Sequence, residues 1–255
     1  MADAPIWGQP WDMAPGVRAA MSSRAGGVSV APYDQLNLGD HVGDAPAAVQ
    51  VNRQIWQARL AVRPVYLQQV HGVAVRRLMP QDPDGLVADA CWTDAPQLAC
   101  TVLVADCLPV LLCDRRGQWV AAAHAGWRGL AGGVLEALWA ALRAQGAQAS
   151  EVQAWLGPCI GPQAFEVGPE VRDAFVQAHP DDAQAFVPQA DRYLAHLSDL
   201  ARARLLRLGV AQVSGNDGSG PWCTVGNDAH FFSHRRDSRR LGHSGRLAAS
   251  IWRLG

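Results

Sequence analysis

The sequence contains no lysine: all 22 basic residues are arginine, set against 23 acidic ones. This absence excludes a Walker A phosphate loop, a pyridoxal Schiff base and a serine-lysine dyad, because each requires a lysine amine. Any anion must therefore be held by arginine, backbone N–H groups or a metal. The formal net charge of −1 creates no field to gather nucleic acid or anionic lipid, so neither is an expected partner. No stretch reaches membrane-spanning length without a charge or a proline. The opening Met1-Ala2-Asp3-Ala4-Pro5-Ile6-Trp7 lacks a basic start followed by an apolar run, and a cytoplasmic location is expected. Cys91, Cys100, Cys107, Cys113, Cys159 and Cys223 form no C-x-x-C pair, which fits reduced thiols better than a disulfide frame or a structural zinc knuckle. There is no internal repeat, low-complexity tract or charged linker.

What is present is a chain of 255 residues, 49% hydrophobic, long enough to bury a large core as one domain spanning 1–255. Strands are expected at 65–70 and 73–76 on either side of His71-Gly72, at 98–104, at 109–113 and at 119–123. A helix is expected from about 130 to 145, stopped by Gly146, followed by a strand at 152–156. The Gly- and Pro-rich stretch 157–162 reads as a loop of fixed shape. Pro169-Glu170 suits the first turn of a helix to about 178, and an amphipathic helix is expected over 193–208 with Gly209 as its stop. Segments 210–214 and 247–252 read as closing strands. The class is mixed α and β.

Three residues of metal-ligand type stand at comparable places: His71 just after a strand, Cys107 at a strand break and His124 at a strand end before a helix. Each has a glycine or proline within two positions, which lets the backbone turn the side chain out of a sheet. Two imidazoles and one thiolate leave a fourth position open, the pattern of a catalytic rather than a structural zinc. Such a site lowers the pKa of bound water and acts as a Lewis acid. Taken singly, each residue also reads as a packed core side chain. Asp106, beside Cys107, suits a ligand-orienting or basic role, or equally a turn residue capping a backbone N–H.

Two segments look suited to anions. Ser22-Ser23-Arg24-Ala25-Gly26-Gly27-Val28-Ser29 sets an arginine beside a flexible glycine pair, and Arg128 lies where a helix opens. A plain turn and a surface arginine are the simpler alternatives. The stretch from Asn227 to Asp237 mixes aromatic and polar residues, as a pocket wall or an ion-pair network does.

Five motifs then stand in one order: Gln69-Val70-His71-Gly72, Ala105-Asp106-Cys107-Leu108-Pro109-Val110, His124-Ala125-Gly126-Trp127-Arg128-Gly129, Leu156-Gly157-Pro158-Cys159-Ile160-Gly161-Pro162 and Phe231-Phe232-Ser233-His234-Arg235-Arg236-Asp237. With Tyr33-Asp34-x-Leu36-Asn37-Leu38-Gly39 and Asn52-Arg53, they cover nearly the whole chain and resemble the YfiH family. Proteins of this family have been described as laccase-like polyphenol oxidases, purine nucleoside phosphorylases and a peptidoglycan editing factor. The resemblance implies an α+β fold, a four-layer αββα sandwich, with His71, Cys107 and His124 as metal and catalytic residues. It implies zinc, with copper (Cu2+) as the other choice, and phosphorolysis of adenosine, inosine and methylthioadenosine together with adenosine deamination. The partners implied are a purine nucleoside and phosphate. From motif context, Arg24 and Arg128 are expected to bind phosphate and Asn37 to contact substrate. His234 departs from the tyrosine common in relatives, which leaves its role open, as it does that of the arginines at 235–240.

Three rivals fit the same residues. A copper oxidase of phenols uses a similar ligand set, but no two of the eight histidines form the His-x-His pairs of multicopper oxidases. A cysteine hydrolase with Cys107 as nucleophile could edit a cell-wall precursor. A non-catalytic binding protein is the third.

Overall fold

The apolar runs at Leu98–Val104, Leu108–Asp114 and Val120–Ala125 are buried along their whole length. Strands that read as continuous apolar runs need cover on both faces, and the computed structural model, which describes residues 7–210 and 212–255, shows what supplies it. In chain order come β1 (Trp11–Ala14), β2 (Val17–Met21), α1 (Pro46–Leu60), β3 (Arg63–Gln68), β4 (Val75–Arg77), β5 (Leu86–Val87), β6 (Ala90–Thr93), β7 (Leu98–Val104), β8 (Leu108–Asp114) and β9 (Val120–Ala125). Then follow α2 (Trp127–Gly132), α3 (Val134–Arg143), β10 (Val152–Leu156), β11 (Glu166–Val167), α4 (Pro169–Val176), β12 (Phe186–Gln189), β13 (Arg192–Ala195), α5 (Leu197–Arg207), β14 (Gln212–Gly215), α6 (His234–Leu241) and β15 (Leu247–Arg253).

One six-stranded sheet has the order β1-β2-β15-β7-β3-β5 and the other β14-β10-β8-β9-β6-β4. Alternation along each strand sorts the core into three clusters. Cys100, Val102 and Val104 of β7 meet Leu111 and Cys113 of β8 and Val120 and Ala122 of β9 between the sheets. Ala99 and Leu103 point the other way, onto Trp56 and Leu60 of α1. Leu108, Val110 and Leu112 face Leu135 and Leu138 of α3 and Leu200 and Leu205 of α5. The layers are helix, sheet, sheet, helix, as the family resemblance implied. Under α1, Ser250 Oγ accepts from Trp56 Nε1 at 3.2 Å and lies 2.9 Å from Thr101 Oγ1. No helix among the described residues is long and apolar enough to cross a membrane.

The segments 98–104 and 152–156 form strands with those bounds, and the others shift by a few residues. Two helices differ in kind. The expected helix at 130–145 is two helices, α2 and α3, because Gly133 takes φ 96° between them. The expected helix at 193–208 starts only at Leu197; Arg192–Ala195 is instead the middle strand of a small sheet β11-β13-β12. His196 separates the two by accepting the Asp199 N–H on its ring nitrogen, a capping contact. The reading of the first six residues, and Ala211 within the expected strand 210–214, lie outside the described residues.

The break at Gly133 generates a test. Gly133→Ala must hold a Cβ at positive φ and should cost about 1 to 2 kcal/mol, whereas Leu138→Ala, which empties a core position, should cost about 2 to 5 kcal/mol. Urea unfolding measures both, and a stabilised Gly133→Ala would show that the break is not imposed by backbone strain.

Candidate metal centre

β7, β3 and β5 run parallel in one sheet and each is followed by a crossing to the other sheet at the same edge. The crossing from β3 to β4 carries His71, that from β5 to β6 carries Asp89, and that from β7 to β8 carries Cys107. His124 comes to the same edge from β9, where it pairs with Pro109. Ligand atoms of His71, Cys107 and His124 all lie within 4.8 Å of one another, with Cys107 Sγ 3.6 Å from His71 Nε2. Bonds of about 2.3 Å to sulfur and about 2.0 Å to nitrogen in a tetrahedral site impose a similar S–N separation. Among the described residues this is the one group of its kind.

Asp89 holds the arrangement and was not singled out from the sequence. Its side chain is fully buried. The carboxylate accepts three successive backbone N–H groups, from Val70 at 3.1 Å, His71 at 2.9 Å and Gly72 at 2.7 Å, and pairs with His124 Nδ1 at 2.9 Å. Its own carbonyl accepts the His124 N–H at 2.7 Å. Although burial opposes ionisation, these bonds and the imidazole keep the carboxyl below its ordinary value. With Nδ1 engaged, His124 Nε2 is left as the ligand atom, the usual outer-shell device for fixing an imidazole tautomer. The signal in the sequence is a single acid inside Leu86-Val87-Ala88-Asp89-Ala90-Cys91: a charge in an apolar run needs buried partners.

The motif residues around the cluster have separate tasks. Gln69 pairs with Leu103 like a strand residue, donating to its carbonyl at 2.8 Å and accepting its N–H at 2.7 Å, and so ties the His71 loop to the end of β7. His71 itself has φ 59° and Asp106 has φ 85°. Asp106 caps rather than acts as a base: its carboxylate accepts the Thr224 hydroxyl at 2.5 Å and the Arg235 N–H at 2.6 Å. A Cβ at Gly126 would lie 2.9 Å from both Cys107 Sγ and His71 Cδ2, and one at Gly129 would lie 2.9 Å from the Gly72 carbonyl. His124-Ala125-Gly126-Trp127-Arg128-Gly129 therefore reads as a ligand followed by two positions kept bare for the cluster.

The other expected site residues are placed as follows. Arg24 gives its Nε to the Asp34 carbonyl at 3.0 Å and Nη1 to the Asp228 carbonyl at 3.2 Å, pairs with the Asp34 carboxylate at 3.4 Å and lies over Phe232. Asn37 has no exposed surface; its amide donates to Gly39 and Asp44, and its oxygen accepts from Gly39 and Arg246, so no valence is left for a ligand. Arg128 is exposed, stacked on Trp127 two residues from Gly126. His234 is exposed, with Nδ1 2.8 Å from Ser238 Oγ. Arg235 and Arg236 bind backbone carbonyls, which accounts for half of the arginine cluster as loop fastening.

Burial pushes Cys113 up to about 12 and Cys100 upward as well. At Cys107 burial acts in the same sense, but the two imidazoles outweigh it and the thiol falls to about 6. At His124 burial lowers basicity, and the Cys107 and Asp89 charges override it and raise the ring to about 9. In metal-free protein the pair is thus thiolate and imidazolium. The thiolate's contribution is lost as pH falls through about 6, and the imidazolium's as pH rises through about 9, so the pair stands between those limits. Iodoacetamide should alkylate Cys107 of chelated protein with a midpoint near pH 6, and added zinc should block it; a midpoint at the ordinary thiol value would sink the pairing. Asp89→Asn should lower zinc affinity about 10- to 100-fold with the far-ultraviolet circular dichroism unchanged, read by competition with a chromogenic chelator. Equal affinity would remove Asp89 from its role.

The family model described as multi-copper polyphenol oxidoreductase laccase matches residues 18–254. A Pseudomonas aeruginosa protein named purine nucleoside phosphorylase is 51% identical over 245 residues, covering 95% of this chain and 96% of the relative. The Escherichia coli purine nucleoside phosphorylase YfiH is 46% identical over 250 residues, 97% of each chain. Among solved structures, a Neisseria meningitidis protein superposes with a TM-score of 0.85 at 45% identity over 98% of both chains. YlmD from Geobacillus stearothermophilus does so with 0.87 at 30% identity over 94% of this chain and 93% of that one. With the five motifs in order, the sandwich they require and a family match over nearly its full length, the chain belongs to the YfiH family of laccase-like proteins.

Proposed function

We propose that this protein is a zinc-dependent purine nucleoside phosphorylase acting on adenosine, inosine and methylthioadenosine, with adenosine deamination as a second activity. The observation that carries the reading is the convergence of His71, Cys107 and His124 under the control of Asp89, in a chain whose relatives are named purine nucleoside phosphorylase. The donor set fits zinc: two imidazoles and one thiolate, all within 4.8 Å of one another and with Cys107 Sγ 3.6 Å from His71 Nε2, and with the His71 side open to solvent. When bound, zinc supplies Lewis acidity toward an oxygen atom.

The chain's own groups do the rest. In phosphorolysis a phosphate oxygen forms a bond to C1′ as the C1′–N9 bond breaks; the purine leaves with the bonding pair and takes up a proton, giving free base and ribose 1-phosphate. Burial keeps the His234 ring below its ordinary basicity, so it is neutral near pH 7. With Nδ1 at Ser238, its other nitrogen can donate toward the departing base. Exposed Arg128 draws phosphate toward the cluster. Arg24 and Asn37 act one step removed, by shaping the loops they hold.

The copper reading draws on the name of the family model. Multicopper chemistry needs several copper sites, and among the described residues one ligand cluster of this type is present. Purified protein incubated with adenosine separates the alternatives. Adenine and ribose 1-phosphate should appear only with phosphate, and inosine with or without it. A chelator should stop both, zinc should restore them, and Cys107→Ser should lower turnover about 100-fold or more. Dioxygen uptake with a phenol and no base release would give the assignment to the oxidase; inactivity on nucleosides, with an electrophile trapped on Cys107 of protein purified without any bound metal, would give it to the hydrolase.

A further inference from the structure

Arg246 enters β15 from Ser244-Gly245, and the chain takes unusual care over its position. Its backbone N–H donates to Asn37 Oδ1 at 2.8 Å, the same oxygen that accepts the Gly39 N–H at 3.0 Å. A Cβ at Gly39 would lie 2.6 Å from Arg246 Cγ, so only a bare backbone there leaves room for the side chain. The Tyr33-Asp34-x-Leu36-Asn37-Leu38-Gly39 motif thus acquires a purpose: it places one arginine.

That arginine is only partly engaged. Nη1 donates to the carbonyls of Ser244 at 2.9 Å and Gly245 at 3.1 Å. Among the described residues Nε and Nη2 have no protein acceptor, and neither is sealed from solvent. Other shielded guanidiniums in this molecule face carboxylates: Arg204 meets Glu136, Arg236 meets Asp237 and Arg53 meets Asp40. Arg246 enters no such pair among the described residues, and burial outweighs the pull of Cys107, Asp106 and Tyr33 and lowers its basicity. Leu247 pairs with Val104 across the β15–β7 ladder, so Arg246 stands where β7 runs out into Ala105-Asp106-Cys107, and its charge is felt by Cys107, Asp106, His41 and His234. An unsatisfied two-donor edge of a guanidinium, next to the ligand cluster and flanked by imidazoles, is chemistry for a tetrahedral oxyanion. In a chain without lysine no ammonium can do this instead. A nucleoside carries no anion, so in the proposed reaction the oxyanion is the second substrate.

We propose that Arg246, with His41 and His234 beside it, forms the inorganic phosphate subsite next to Cys107; this rests on the phosphorylase reading above. Arg24, whose guanidinium is taken up by Asp34, Asp228 and Phe232, is then a loop fastener and not the phosphate ligand.

The test uses zinc-loaded full-length protein and varies phosphate at saturating adenosine. Arg246→Gln should raise the phosphate KM about 10- to 100-fold, with the adenosine KM moving far less. Arg246→Lys, which keeps the charge and loses the fork, should fall between. Calorimetric titration of inorganic phosphate into nucleoside-free protein should show the same order of affinities. A folded Arg246→Gln with a phosphate KM within about twofold of the parent overturns the subsite and leaves the phosphorylase reading standing. Should Arg246→Gln fail to fold, an Arg246→Lys protein with unchanged phosphate KM overturns it equally. If the parent makes no ribose 1-phosphate, the phosphorylase reading fails. The calorimetric arm then decides alone: phosphate bound by the parent and lost in Arg246→Lys keeps the subsite, and equal binding removes it.

Discussion

A single carboxylate, that of Asp89, organises the active edge of this molecule. Four donors from two separate segments meet on its two oxygens in a place closed to water. A buried charge is tolerable only when its hydrogen-bonding capacity is filled, so the loop bearing His71 and the strand bearing His124 are constrained by the same requirement. The left-handed backbone at His71 follows from it, since three consecutive N–H groups can turn toward one acceptor only if the chain curls around that acceptor. Cys107 is brought in by a different device, with Asp106 pulling the turn toward Thr224 and the start of α6. One acid therefore positions two of the candidate ligands and a second acid positions the third.

Much of this was legible in the residues, and the reasons for success and failure are physical. The doubly covered strands β7, β8 and β10 announce themselves as unbroken apolar runs bounded by turns. The three candidate ligands stand out because each is a side chain of metal-ligand type at the end of such a run. Residues 130–145 look like one helix in sequence because a glycine inside a helical pattern is normally a mere weakness; here Gly133 reverses its φ and starts a second helix. Arg192–Ala195 blends into a helical pattern because Leu194 stands three residues before Leu197 and so extends the helical spacing backwards, and only the partners β11 and β12 reveal the strand.

The polar residues were harder. Asn37 and Arg24 carry the chemistry of substrate contacts, and their motifs are shared with the family, yet Asn37 has its capacity filled from within and each nitrogen of Arg24 already meets a protein acceptor. Whether a buried amide serves a ligand or the chain depends on acceptors and donors more than 200 positions away, as with Asn37 and Arg246, and no local pattern encodes that distance. Asp89 was overlooked for the opposite reason: alone among apolar neighbours, it lacked any nearby partner to suggest a site.

The placement of the donors on links between the two sheets has a mechanical meaning. His71 and Cys107 each ride on a span that leaves one β layer and enters the other, while His124 belongs to the second layer. An ion clasped by all three would rivet the layers at their rim, so affinity for the ion and resistance of the sandwich to prying apart are thermodynamically one quantity.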